Sequence, residues 1–157
     1  MTTLISRHLN LTGASIVNIS TDAFRGLGGL GDSLHGLLGL SLASNALDKF
    51  PATALRPLNS LQRLFIGGNF IERLATNDLK GMPDLRTLDL SQSPNLVHIE
   101  ANVLADNYYM EMVDVSGCPQ LTAIEDGAFT LGSFNEVMMP NELLKFCQML
   151  FDEIKQK

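Results

Sequence analysis

One pattern recurs along this chain at nearly constant spacing. LLGLSLASNAL, from Leu37 to Leu47, has the form LxxLxLxxNxL, and LQRLFIGGNFI, from Leu61 to Ile71, repeats it 24 residues later. LRTLDLSQSPNLVHI (Leu85 to Ile99) follows after another 24, and MEMVDVSGCPQLTAI (Met110 to Ile124) after 25. An earlier copy begins at Ser6 with Leu9, Leu11, Ala14 and Ile16, and a degraded one at Phe134 with Val137 and Met139. The second half of each unit recurs too: Ala23–Phe24, Ala54–Leu55, Asp78–Leu79, Val103–Leu104 and Ala128–Phe129 stand 31, 24, 25 and 25 residues apart. The long first interval holds a glycine-rich insertion around Gly28 to Gly36, read either as a looped-out segment or as a short spacer helix containing Leu30, Leu34 and Leu37. A fixed period of this length dictates stacking, because one unit cannot bury its own apolar face. It also accounts for most of the 27 leucines among 157 residues. A leucine-rich helical bundle is disfavoured by Asn45, Asn69, Gly67–Gly68, Pro94 and Pro119, and the LxL core alternates with the period of a strand.

These segments resemble the leucine-rich repeat family, most closely in ALRPLNSLQRLFIGGNFIERL and CPQLTAIEDGAF. The period and the Ala-Phe-x-x-Leu second half are similar to the type found in animal extracellular proteins, with chaoptin-like, Toll-like and Slit-like ectodomains as relatives. The resemblance implies an α/β class: a right-handed solenoid, or horseshoe, with a parallel β-sheet on its concave face. It would span residues 6–139 as five to six repeats, with the insertion near 28–36. Leu9/Leu11, Leu40/Leu42, Leu64/Ile66, Leu88/Leu90 and Val113/Val115 would point inward from the strands. Phe24, Leu55, Leu79, Leu104 and Phe129 would line the return side. In this family the asparagine slot satisfies backbone groups where the chain leaves the strand. Here it holds Ala14, Asn45, Asn69, Ser93 and Cys118, so the first repeat is expected to be looser and Cys118 to be a buried structural thiol. Residues 140–157 break the repeat. Asn141 as N-cap and an apolar face from Leu143 to Ile154 predict a helix capping the C-terminal end of the stack. An amphipathic helix for a partner or a membrane is the alternative reading of the same residues.

Composition narrows the function. With 45% hydrophobic and 18% charged residues the chain can bury a core, and no apolar run reaches the ~18 residues of a membrane span. The first residues, MTTLISRHLNL, have too short an apolar stretch and no small-residue cleavage site, so they are not expected to act as a signal peptide. Two distant cysteines exclude a disulfide scaffold and a cysteine-rich zinc site. The cysteine-rich flanking caps usual in extracellular members of the family are absent, which suggests a fragment or a shortened form of a longer ectodomain. A net charge of −6 argues against general nucleic-acid binding. Residues 1–99 sum to +1 and residues 100–157 to −7, so the acidic end could steer a basic protein surface. GxSxG, P-loop and HExxH motifs are missing, and His8, His35 and His98 are scattered. The GLGGLG run from Gly26 to Gly31 is not preceded by the strand of a dinucleotide fold and sits in the repeat insertion. We therefore expect no catalytic residues, no metal and no cofactor.

The exposed strand positions of the concave face are the candidate site. Arg63, Phe65, Arg86, Asp89, Glu111 and Asp114 are the expected partner contacts, with Phe65 as an exposed aromatic anchor beside two arginines. Asp89 and Asp114 should sit on neighbouring strands. Sequons at Asn10-Leu11-Thr12 and Asn18-Ile19-Ser20 mark Asn10 and Asn18 as candidate glycosylation sites. The leading reading is a non-enzymatic module that binds a protein ligand on its concave face, as part of a cell-surface or secreted recognition protein. A structural adhesion or self-association module and an intracellular, cytoplasmic scaffold are the alternatives.

Overall fold

The computed structural model describes residues 7–28, 36–129 and the backbone of 136–138. The expected capping helix over 140–157, and residues 29–35 of the insertion, lie outside them. Six three-residue strands, β1 (His8–Asn10), β2 (Gly39–Ser41), β3 (Arg63–Phe65), β5 (Thr87–Asp89), β7 (Met112–Asp114) and β9 (Glu136–Met138), form one parallel sheet in that order. Its middle rung runs Leu9, Leu40, Leu64, Leu88, Val113, Val137, one residue from each unit of the sequence repeat. The register therefore equals the sequence alignment, including the long first interval. The fold is a leucine-rich repeat solenoid with this sheet on the concave face.

Period-two alternation in β2, β3, β5 and β7 buries the middle residue, and the residue just past the strand is buried with it: Leu40 and Leu42, Leu64 and Ile66, Leu88 and Leu90, Val113 and Val115. Leu55, Leu79 and Leu104 close the core from the return side. Each buried leucine contributes about 1.5–3 kcal/mol through removal from water. No strand extends past three residues because the chain then turns sharply. The second residue beyond each inward pair, Gly13, Ser44, Gly68, Gln92 and Gly117, has φ of 66°, 55°, 67°, 56° and 64°. Glycine fits this left-handed turn freely, whereas Ser44 and Gln92 adopt it at some cost.

The turn is held by a ladder of side chains in the asparagine slot. Asn69, fully buried, donates from Nδ2 to the carbonyls of Leu42 (3.0 Å) and Ile66 (2.8 Å) and accepts the Leu47 N–H at 3.1 Å. Asn45 does the same one repeat earlier, donating to Leu11 and Leu42 at 2.9 Å and accepting the Ile16 N–H at 2.9 Å. The Ser93 hydroxyl donates to the Leu90 carbonyl at 2.7 Å, and the Cys118 thiol reaches back to the same carbonyl at 3.3 Å. Leu9, Leu11, Ile16 and Ile19 of the first repeat are only partly buried. Asn45 supplies from the second repeat the bonds to Leu11 and Ile16. The looseness therefore comes from the edge position of this repeat as well as from Ala14.

The return side is made of turns, one short helix, α1 (Ala52–Leu55), and a second parallel sheet. That sheet joins β4 (Arg73–Leu74), β6 (His98–Ile99) and β8 (Ala123–Ile124) through rungs Arg73–His98–Ala123 and Leu74–Ile99–Ile124. Glutamates tie its exits together. Glu100 accepts the Thr76 N–H at 3.0 Å, and Glu125 accepts the Ala101 N–H at 2.9 Å. Arg73 pairs with Glu100 at 3.4 Å and His98 with Glu125 at 2.8 Å. On either side of the insertion, the Leu37 N–H donates to the Leu27 carbonyl at 2.9 Å.

Candidate functional site

The outward residues of the concave sheet form two rungs. One runs Asn10, Ser41, Phe65, Asp89, Asp114 and the other His8, Gly39, Arg63, Thr87, Met112. Phe65, Asp89 and Asp114 are thus lateral neighbours on three adjacent strands, as the repeat alignment requires. Phe65 is half-buried, not the protruding side chain expected from sequence, because Ser41 and Asp89 flank it on the rung. Asp89 and Asp114 do the same local work. Each accepts, at 2.8 Å on Oδ1, the backbone N–H two residues on, from Ser91 and Ser116. Asn10 accepts the Thr12 N–H at 3.0 Å in the same manner. This side-chain turn starts the exit from the strand. It commits one carboxylate oxygen of each aspartate to the scaffold and fixes where the pair stands.

The two arginines are engaged away from Phe65. Arg63 lies on the same strand face as Phe65, and its Nη2 is 3.3 Å from His8 Nε2. Gly39 lies between them, and a Cβ there would strike the His8 ring. Arg86, on the rung next to the strand start, pairs with Glu111 at 2.6 Å, and its guanidinium lies 5.8 Å from the centre of the Tyr109 ring. The concave face is therefore polarised. His8 and Arg63 stand on its first strands, with Arg7 just before β1, whereas Asp89 and Asp114 stand on its later ones, with Glu111 just before β7. Asn10 and Asn18 are both exposed, Asn10 on the outward rung and Asn18 on the return side, where its Oδ1 accepts the Ile19 N–H at 2.8 Å.

Among the described residues no group of three or more His, Cys, Asp or Glu side chains converges as metal ligands would. No helix among them is long and apolar enough to cross a membrane. Cys118 is buried, and burial pushes its thiol pKa up, so it is held as the neutral thiol.

Tyr108 and Tyr109 were not singled out from the sequence, and both are exposed. The signal that finds them is the column each occupies in the repeat. Tyr108 stands where other units place Gly28, Asn59 and Pro83, and Tyr109 where they place Gly36, Ser60 and Asp84. Small turn residues give way to two aromatics in one unit only.

No family model matches this sequence, and no curated protein does. Among solved structures, that of a TLR13–ssRNA13 complex is similar, with a TM-score of 0.57 and 20% identity over 85% of this chain and 21% of that one. The mouse RP105/MD-1 complex aligns over 85% of this chain and 38% of its own, at 17% identity and a TM-score of 0.30. This chain thus spans well under half of either protein. The TLR13 likeness is one of fold, and it agrees with the repeat register.

Proposed function

We propose that this chain is a non-enzymatic recognition module that binds a protein ligand on its concave face, within a cell-surface or secreted protein. The observation that carries the reading is the outward rung Phe65–Asp89–Asp114. There an aromatic surface and two turn-locked carboxylates are presented side by side on adjacent strands. Buried aliphatic residues on either side of that rung (Leu64/Ile66, Leu88/Leu90, Val113/Val115) hold its backbone, so the contacts are preorganised and little ordering entropy is lost on binding. Arg63, Arg86 and Glu111 flank it and complete the expected contact set. TLR13, by its complex, takes a single-stranded RNA. For the present chain a protein ligand is the better fit, because the net charge is −6 and Asp89 and Asp114 occupy the same surface.

The test is a binding screen against cell-surface proteins with the immobilised chain, repeated with Phe65→Ala/Asp89→Asn. Truncating an interface anchor should weaken a captured ligand by at least ~tenfold, and unchanged binding would reject the site. Expression through a secretory pathway, followed by glycosidase treatment, tests Asn10 and Asn18. A mobility shift lost in Asn10→Gln/Asn18→Gln is expected, and its absence would count against the extracellular assignment. Self-association is a second reading, supported by β1 at the sheet edge with Leu9 and Leu11 only partly covered. Light scattering that shows a strict monomer over a wide concentration range would remove it.

A further inference from the structure

The exposed tyrosine pair is unexplained by the solenoid. Tyr108 and Tyr109 retain 73% and 55% of their accessible surface, in columns that every other unit fills with Gly, Asn, Pro, Ser or Asp. Neither ring is needed to close the core, since Leu104 and Met110 on either side are buried. Tyr109 is nevertheless held in place. Arg86 lies 5.8 Å from its ring centre and is itself fixed by Glu111 at 2.6 Å. The chain around the pair is acidic apart from Arg86. From Glu100 to Phe129 the chain has six carboxylates and no lysine or arginine. Asp106 precedes Tyr108 by two residues, and Asp84 occupies the Tyr109 column one repeat back. Neither Asp84 nor Asp106 has an ion-pair partner among the described residues. The nearby Arg86 is already neutralised by Glu111.

We propose that Tyr108 and Tyr109, with Asp84 and Asp106, form a docking shelf for an arginine-bearing segment of a partner protein. A planar guanidinium stacks on an aromatic face and meets a carboxylate with its N–H edge, a combination an ammonium matches less well. Nucleic acid would also find stacking surfaces here, but its phosphates would face unpaired aspartates. The shelf adjoins Arg86 and Glu111. The inference therefore rests on the reading of this chain as a protein-binding module, and it names the partner chemistry while extending the contact surface beyond the strands.

The chain supplies its own reporter. It has two tyrosines and no tryptophan, so its intrinsic fluorescence comes from Tyr108 and Tyr109 alone. The full chain would be titrated with a synthetic Arg-Ser repeat peptide, its Lys-Ser counterpart and a mixed-sequence single-stranded RNA. Fluorescence and calorimetry would both be followed. The Arg peptide should quench the tyrosine emission and bind more tightly than the Lys peptide, with affinity falling as salt rises. Tyr108→Ser/Tyr109→Ser should weaken it on the order of five- to tenfold by calorimetry, and Asp84→Asn/Asp106→Asn by a similar factor. Phe65→Ala/Asp89→Asn should change it less than about twofold. Circular dichroism of the exposed-residue variants checks that each remains folded. Peptide binding that leaves the fluorescence unchanged and is lost in Phe65→Ala/Asp89→Asn overturns the shelf and leaves the concave-face reading standing. RNA binding with quenching, in place of peptide binding, overturns both. No response to the Arg peptide overturns the shelf alone, because the concave site is tested by its own captured ligand.

Discussion

Replacing Asn69 by alanine should be among the most damaging single substitutions in this chain, and the hydrogen bonds say by how much. Asn69 is fully buried and serves three backbone groups strongly. The Leu42 carbonyl keeps a second donor in Asn45, at 2.9 Å. The Leu47 N–H and the Ile66 carbonyl have no other partner among the described residues and would be orphaned in the core. Each orphaned group costs about 1–3 kcal/mol, so Asn69→Ala should lose about 2–6 kcal/mol. Against a typical domain stability of about 5–15 kcal/mol, that is a large fraction. Asn45→Ala is the internal control. Its chemistry is the same, but the groups it orphans belong to Leu11 and Ile16, both partly open to water, so its loss should be about 1–2 kcal/mol. Asn69→Asp keeps the shape but turns donors toward carbonyls into a carboxylate. At neutral pH it should be at least as unstable as the alanine variant, and it should recover on acidification, when the introduced carboxyl can donate again. Urea unfolding followed by circular dichroism measures the losses, and hydrogen exchange at the Leu47 amide reports the orphaned site directly. A loss for Asn69→Ala below about 1 kcal/mol, or one equal to that of Asn45→Ala, would refute the reasoning, since only burial separates the two sites.

Other consequences follow from the same geometry. Gln92 holds φ of 56° where three of the other units place glycine, so Gln92→Gly should raise stability by about 1 kcal/mol in the same urea assay. Burial raises the Asp78 carboxyl above its ordinary value of 3.8, although the Ala75 N–H, 2.7 Å away, opposes the rise. Its charge therefore lowers stability above its folded pKa, and the penalty is relieved as pH falls through it. Asp78→Asn should melt higher than the parent at neutral pH, and the gap should close in acid. Glu100 behaves oppositely. The Thr76 N–H and hydroxyl hold its carboxyl below the usual 4.5, so its contribution is present above that value and is lost as pH falls through the folded pKa. Glu100→Gln should flatten the acid limb of the melting profile, and an unchanged limb would contradict the assignment. In a Cys147→Ser background Cys118 should resist a disulfide reagent in the native state and react fully in urea, because its thiol is buried and its pKa raised.

The repeat made the concave side legible residue by residue. Apolar period two sets which strand residues face inward, and the spacing of about 24 sets which strands are neighbours. The outward strand positions of Arg63, Phe65, Asp89 and Asp114 therefore follow from the repeat alignment alone. The return sheet was not legible in the same way. Its two-residue bridges arise from backbone bonds between stacked turns, and residues as unlike as Arg73, His98 and Ala123 share one rung. Nor did sequence reveal that Asp89 and Asp114 each spend one oxygen on a backbone N–H, or that Arg86 turns toward Glu111 and Tyr109.

In a stacked repeat, a residue that departs from its column asks for a reason, and the reasons separate structure from recognition. Asp78 replaces the Ala and Val of its column and is half-buried, but it caps the Ala75 N–H. Asn107 replaces Leu58 and Met82, and although its Oδ1 is buried without a partner, its Nδ2 donates to the Met82 carbonyl at 2.8 Å. Both departures engage the scaffold, so scaffold chemistry suffices to explain them. Tyr108 and Tyr109 sit in turn positions that smaller residues fill elsewhere, and their rings lie mostly in water. Arg86, itself exposed, lies 5.8 Å from the centre of the Tyr109 ring. A solenoid under selection for stacking alone has no use for two exposed rings there, which is why the docking shelf, rather than the buried substitutions, carries the inference about a partner.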